Sequence, residues 1–177
     1  MTDDESLQLA IHEPVSLVQY DAAWPAMFLS ERARLLEMFF TEMREVEHIG
    51  STAIPGMPAK PIIDIMAGVQ SMAVADAISA RIIAAHYTTS AEFNATLSNR
   101  RWFMRWKDGR RTHHLHVVVL DQEEWTNKLR FRDLLRSSKT LAQRYALLKQ
   151  ELAQHYFTDR EAYSGAKSEF VHEVIRA

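Results

Sequence analysis

Apolar residues recur along this chain in two rhythms, one of period two and one near 3.6, and the switches between them outline its elements. Residues 15–20 (VSLVQY) read as a short strand. Asp21 is placed to cap a helix in which Trp24, Phe28, Leu35 and Phe39 form one stripe and Glu31, Arg32 and Arg34 face outward. Residues 44–49 (REVEHI) alternate as a strand and lead into Gly50-Ser51, followed by a loop through Pro55, Gly56 and Pro58. The next strand, residues 62–69, places Ile63, Ile65, Ala67 and Val69 on one face. Ile62, Asp64, Met66 and Gly68 take the other, so Asp64 points away from the more regular aliphatic row.

Val74, Ile78, Ile82 and Ala85 then mark an amphipathic helix, residues 86–90 a short strand, and residues 94–99 a polar loop. Residues 101–106 alternate Arg101, Phe103 and Arg105 against Trp102, Met104 and Trp106; Asp108-Gly109 is a hairpin turn. On the returning strand His113, Leu115, Val117 and Val119 share one face, and Thr112, His114, His116 and Val118 the other. From Gln122 the pattern is helical. Trp125, Leu129 and Leu134 line a first helix; Leu141, Tyr145, Leu148, Leu152 and Tyr156 line a second. Tyr163, Ala166, Phe170 and Val174 line a third, introduced by a Thr158/Glu161 capping box. Strands first and helices last predict an α+β fold. Residues 1–13 read as a flexible polar arm, and residues 14–177 as a single domain with a helical tail over residues 137–177.

Composition narrows the function classes. The 177 residues are 47% hydrophobic and 25% charged, the balance of a globular domain. A net charge of −2 gives no general electrostatic reason to bind nucleic acid or a membrane surface. With no cysteine, disulfides and thiolate chemistry are excluded. No apolar run reaches the ~18–20 residues of a spanning helix. The start, MTDDESLQLA, lacks the layout of a signal peptide, so the expected location is the cytoplasm.

The candidate chemistry centres on residues 48–69 (HIGSTAIPGMPAKPIIDIMAGV). A Gly50-Ser51 turn can hold an anion through backbone amides, and a strand carboxylate, Asp64, can hold a divalent cation that a phosphate shares. The Ser51 and Thr52 hydroxyls and the Lys60 ammonium could add phosphate contacts. Arg101, Arg105 and Arg111 could clamp phosphates if they share the open face with Asp64. Asp64 could equally pair with Lys60, Arg101 or Arg105 in a purely structural role. His114 and His116 could complete a metal site with Asp64, a ligand set suited to Mn or Zn more than to Mg; two strand histidines also serve as plain hydrogen-bonding groups. His113 reads as a packing histidine. The cationic residues 128–149 are interleaved with acids and read as a solvated helix surface.

These residues resemble the GrpB family of small bacterial proteins, in the blocks YDAAWPAMF, EHIGSTAIPGMPAKPIIDI, RTHHLHVV, LRFRDLLR, YALLKQEL and DREAYSGAKSEF. The resemblance runs from about Val15 to the end of the sequence. It implies a DNA polymerase β-like nucleotidyltransferase fold: a mixed sheet with helices on one face and a C-terminal helical extension. In that superfamily a Gly-Ser turn precedes an Asp-x-Asp/Glu strand whose carboxylates hold two metal ions. Gly50, Ser51 and Asp64 match the turn and the first carboxylate. Met66 stands where the second belongs, and a thioether is a poor ligand for a hard cation. A related domain occurs fused to some dephospho-coenzyme A kinases, which implies a coenzyme A context.

The expectation is a nucleotidyltransferase-like protein that binds a nucleotide or another phosphorylated small molecule. Asp64 would be the catalytic and metal-binding group, a divalent Mg, Mn or Zn the cofactor. Three alternatives stand beside it. One is a binding module without turnover, favoured by Met66. Another is a metal-dependent phosphoester hydrolase using Asp64, His114 and His116. The third is an interaction protein that works through its helical tail.

Overall fold

The alternating run around Asp64 becomes the second strand of a mixed sheet. The computed structural model describes residues 2–176, with the side chains of residues 3, 4 and 160 set aside; residues 1 and 177, at the ends of the expected arm and tail, lie outside the described residues. The strands are β1 (Glu45–Ile49), β2 (Ile63–Val69), β3 (Tyr87–Thr88), β4 (Arg100–Lys107) and β5 (Arg110–Val119), in the spatial order β1-β2-β5-β4-β3. β2 and β5 run parallel; the other neighbours are antiparallel.

Helices α2 (Trp24–Met38) and α3 (Met72–Ala84) cover the face built by the regular aliphatic row. Ile63, Ile65, Ala67 and Val69 meet Phe103, Leu115 and Val117 there, under Trp24, Phe28, Leu35, Phe39, Ile78 and Ile82. Each such buried side chain contributes about 1.5–3 kcal/mol, so this layer dominates the stability. The opposite face is covered in part. Helix α5 (Glu123–Ser137) sets Trp125 and Leu129 on Ile49, Met66, Val118 and Leu120. Helices α6 (Lys139–His155) and α7 (Arg160–Arg176) pack with α5 around Tyr145, Phe170 and Val174, and enclose Ile54 and Met57 of the β1–β2 loop. The C-terminal extension therefore lies against the loop that carries the Gly-Ser turn. Among the described residues no helix is long and apolar enough to cross a membrane.

Several elements differ from the sequence reading for local reasons. The expected flexible arm is a helix, α1 (Asp3–His12), closed by a Thr2/Glu5 capping box and anchored by buried Ser6 and Ala10. Residues 15–20 make an isolated bridge, Val18 to Ala59 of the β1–β2 loop, instead of a strand of the sheet. Asp21 accepts a 2.8 Å bond from the Ala23 amide and so caps the turn ahead of α2, whose N-cap is Ala23. The loop expected at 94–99 loses its first two residues to a short helix, α4 (Ala91–Ala95), capped by Ser90. At the start of α7 it is Asp159, not the Thr158/Glu161 pair, whose side chain accepts an amide bond, from Ala162. Glu31 is buried rather than exposed. It pairs with Arg34 and Arg105 and accepts from the Tyr87 hydroxyl at 2.6 Å, and these partners hold its carboxyl low against the opposing effect of burial.

The β4–β5 hairpin decides which side chains reach Asp64. Its turn has Asp108 and Gly109 both at positive φ (50° and 72°), the two-residue geometry that Asp-Gly favours. A regular ladder from that turn would pair Arg105 with Thr112 and place Arg101 and Arg105 on the His114 face. Instead Trp106 pairs with Arg111 and Arg105 with His113, so Thr112 is an extra, bulged residue. Every pairing beyond it shifts by one, and Arg101 and Arg105 turn to the helix-covered face.

Candidate functional site

Asp64 lies at the margin of the face that α5 leaves uncovered. The parallel register sets it directly beside His114, one strand spacing (about 4.8 Å) away. His116 follows on the same face of β5. His114 Nδ1 is 3.0 Å from Asp64 Oδ1, and His116 Nε2 is 4.0 Å from the same oxygen. One ligand atom from each of the three residues falls within 4.8 Å of the others. Above them passes Gly50, with φ 72° and ψ −171°, a backbone region open essentially to glycine alone. A Cβ at Gly50 would sit 2.5 Å from Asp64 Oδ2, so this glycine is also what lets the turn close over the carboxylate.

Charge is fixed by these contacts. Burial alone would raise the Asp64 carboxyl, but the His114 hydrogen bond and the nearby His116 and Lys60 outweigh it and hold Asp64 ionised well below the usual carboxylate range. Burial pushes His116 far down, helped by Lys128 and Arg100 and opposed by Asp64, so this imidazole is neutral. Arg111 Nη1 lies 3.3 Å from His114 Nε2. Guanidinium groups only donate, so Nε2 accepts, and Nδ1 carries the proton that it donates to Asp64.

One carboxylate and two imidazoles are the donor set of a transition-metal site, with further positions left for a ligand. The His116 Nδ1 atom is buried and has no hydrogen-bond partner among the described residues, so a metal at Nε2 would leave the Nδ1 proton without a protein acceptor there. A metal at His114 Nδ1 must displace the proton there and turn Nε2 into a donor facing Arg111. The residues fit a cation that is held moderately by the protein and completed by oxygens of its ligand.

The other candidate residues separate. Ser51, at the start of the 3-10 turn Ser51–Ala53, is part-exposed and acts on the Tyr145 hydroxyl; Lys60 is part-exposed and acts on Asp64 electrostatically. Thr52, expected to contact phosphate, is turned inward: His48 Nε2 lies 3.0 Å from its hydroxyl, which in turn reaches the Ile62 carbonyl. His48 itself is neutral, pushed down to about 4 chiefly by burial, and stacks on Phe28. Arg101 and Arg105, expected beside Asp64, are corrected to the other face, where they pair with Asp76 and Glu31. Arg111 does reach the Asp64 face, because the bulge leaves it opposite Trp106, but it is buried and paired with Glu13.

Met66 is fully buried against Ile49, Val118 and Trp125. A carboxylate there would be taken out of water among these apolar side chains, with the neutral His116 ring beside it across the strand pair. Met66→Asp is therefore expected to cost about 3 kcal/mol or more instead of rebuilding a two-metal site. Chemical denaturation of the variant beside the wild type checks this; an unchanged midpoint would contradict the packing described here.

The tail helices hold residues that the sequence reading left as core lining or solvated surface. Arg132, nearly buried, bonds Glu47 at 2.5 Å and the His48 carbonyl at 3.1 Å, and Arg136 bonds the Ala53 carbonyl at 2.9 Å. On α6, Lys149 Nζ stands 5.0 Å from the Tyr145 ring centre and donates to the Pro58 carbonyl. On α7, Lys167 Nζ stands 4.4 Å from the Tyr163 ring centre, and Lys60 approaches the same ring at 5.2 Å. The signal for both was present as Tyr-x-x-x-Lys, a cation one turn on from a buried aromatic.

Burial and then the charge of Lys167 push the Lys149 ammonium down to about 7, against Asp64. Between about pH 7 and 10.5 the unfolded chain binds a proton at this lysine that the folded one does not, so its effect on stability becomes more favourable as pH rises. Lys149→Met, lacking this term, is expected to lose ground to the wild type by on the order of 1–3 kcal/mol from pH 6 to pH 10. Denaturant midpoints at both pH values measure it; a pH-independent difference would contradict the buried, charge-frustrated lysine.

Comparison with known proteins agrees with this architecture. The family model for GrpB protein matches residues 14–177. The chain belongs to the GrpB family. It is 32% identical to the UPF0157 protein BH1888 of Halalkalibacterium halodurans, over 99% of this chain and 91% of that one. It is 34% identical to the UPF0157 protein YqkA of Bacillus subtilis over 89% of its own length, but spans 45% of that relative. The crystal structure of conserved protein GrpB from Enterococcus faecalis matches with a TM-score of 0.80 and 31% identity, covering 91% of this chain and 95% of that chain. The shared architecture is α+β and nucleotidyltransferase-like. A protein named dephospho-CoA kinase, from Mycolicibacterium paratuberculosis, is 28% identical over 92% of this chain, which spans 46% of that protein.

Proposed function

We propose that this GrpB-family protein binds a nucleotide, or a closely related phosphorylated small molecule, as a complex with one divalent metal ion. The observation that carries the reading is the convergence of Asp64, His114 and His116, with ligand atoms within 4.8 Å of one another directly beneath the Gly50-Ser51 turn. In this reading the three side chains hold the cation, preferentially Mn or Zn, and the ligand's phosphate oxygens complete its coordination. A bound metal would neutralise phosphate charge and orient the phosphate chain. Asp64, ionised, supplies the anionic ligand; His116, neutral, supplies a lone pair; Gly50 keeps the approach open; Lys60 offsets the charge of the phosphates. Family membership and the kinship with a protein named dephospho-CoA kinase support a nucleotide or coenzyme A-like ligand.

Binding is favoured over two-metal nucleotidyl transfer because of Met66. Transfer of that kind needs a second carboxylate beside the first, and Met66 packs under Trp125 where it would stand. Calorimetric titration of ATP, CTP, GTP, UTP and coenzyme A, each with chelator, Mg²⁺, Mn²⁺ or Zn²⁺, tests the reading. At least one ligand is expected to bind tenfold or more tightly with Mn²⁺ or Zn²⁺ than with chelator. Affinities that ignore the metal, or no binding by any ligand, would overturn it.

A further inference from the structure

Beside the metal-ligating set, three lysines from three different segments converge on the loop between β1 and β2. Lys60 belongs to the loop itself, Lys149 to α6 and Lys167 to α7. Lys60 and Lys167 bring their ammonium groups to one ring, that of buried Tyr163, at 5.2 and 4.4 Å from its centre. Lys149 lies deeper, 1% exposed, with Nζ on the Pro58 carbonyl and over the Tyr145 ring. Tyr145 in turn lies close enough to Ser51 of the Gly-Ser turn for the serine to act on its hydroxyl. The β1–β2 loop and α7 thus carry Ser51, Lys60 and Lys167 at part-exposed positions around these rings, with Asp64 near enough to feel Lys60.

Gathering like charges in this way is unfavourable in itself. The field of Lys167 depresses Lys149, while Asp64 acts on Lys149 in the opposite sense and feels Lys60. Ammonium groups brought to neighbouring aromatic faces raise the local positive potential, which suits a multivalent anion. A phosphate group matches it better than a carboxylate. It carries close to two charges at neutral pH and offers three terminal oxygens to donors of this kind.

We propose that Ser51, Lys60 and Lys167 form a phosphate subsite beside the Asp64–His114–His116 set, supported from beneath by Lys149, and that it takes the part of a phosphate chain away from the metal. This rests on the reading that the ligand is phosphorylated, but not on the metal. Lys149 is a positioning residue: it holds the Pro58 carbonyl from beneath without standing on the rim. The C-terminal helices are then part of the binding surface as well as of the fold.

Inorganic pyrophosphate is the probe, titrated by calorimetry into the full chain stripped of metal with chelator. Wild type is expected to bind it, with affinity falling as salt is raised. Lys60→Gln and Lys167→Gln, both part-exposed positions, are each expected to weaken binding roughly tenfold while thermal melting stays close to wild type. Lys167→Arg retains most of the affinity, and Lys139→Gln, on the exposed start of α6, retains all of it. No pyrophosphate binding by wild type, or equal affinity in Lys60→Gln, Lys167→Gln and Lys139→Gln, overturns the subsite. If those lysine variants are silent while Mn²⁺ still tightens nucleotide binding, the subsite fails and the metal reading stands. If the lysines matter and no metal effect exists, the subsite stands alone.

Discussion

Asp64→Asn is expected to abolish the metal-dependent part of nucleotide binding, a loss of roughly 100-fold or more at saturating Mn²⁺. Asparagine keeps the shape, and its carbonyl can still accept from His114 Nδ1, which lies 3.0 Å from the carboxylate now. What disappears is the negative charge among the three ligands. Two neutral imidazoles and an amide bind a divalent cation far more weakly than a set with one carboxylate. The variant is also expected to differ in acid stability. Asp64 titrates lower folded than unfolded, so its contribution is complete above the ordinary carboxyl range near pH 4 and disappears as pH falls through the depressed folded value. Above that range the wild type retains the whole benefit. Calorimetry with and without Mn²⁺, with acid titrations of both proteins followed by circular dichroism, measures the two effects. An Asp64→Asn protein with an undiminished Mn²⁺ effect would remove the carboxylate from the site.

Gly50→Ala is expected to damage stability and binding together. The added Cβ would sit 2.5 Å from Asp64 Oδ2, and the φ of 72° with extended ψ is strained for any residue with a side chain. Backbone strain of this kind costs about 1–3 kcal/mol. Relief requires the turn to lift or Asp64 to swing, and either movement breaks its approach to His114. In a chain of this size a loss of 2 kcal/mol lowers the melting temperature by roughly 4–8 °C. Metal-dependent affinity is expected to fall at least tenfold in the same variant. Gly56→Ala, in the same loop but with open space around its Cβ, carries only the backbone strain and is the comparison that isolates the collision with Asp64.

The period-two pattern of residues 63–69 was enough to place Asp64 on the face away from the main core, because a one-residue slip would have buried a carboxylate among aliphatic side chains. The hairpin turn was equally legible in Asp108-Gly109. Its register was not. The extra residue at Thr112 has no sequence mark of its own, yet it carries Arg101 and Arg105 to one face and Arg111 to the other. The inward turn of Thr52 was hidden for a similar reason: its partners, His48 on β1 and the Ile62 carbonyl just ahead of β2, are brought together only by the folded sheet.

The tail illustrates a different limit. Its apolar stripes predicted three helices, and three are present as α5, α6 and α7. Charge counting then assigned their cations to solvent, although Arg132 and Lys149 are nearly or fully buried. A cation four residues after a tyrosine on the inner stripe was the available clue, since long basic side chains lie along aromatic rings when their tips find an acceptor. What no stripe could supply was the acceptor itself, the Pro58 carbonyl for Lys149 and Glu47 for Arg132, each more than eighty residues away in sequence.

The most direct measurement is anomalous diffraction from crystals grown with Mn²⁺ and a nucleotide that binds in its presence. The expected result is a peak bonded to Asp64, His114 Nδ1 and His116 Nε2, with phosphate oxygens completing the coordination and Gly50 alongside. A nucleotide seated elsewhere, or seated at this turn with no metal on those three side chains, would contradict it.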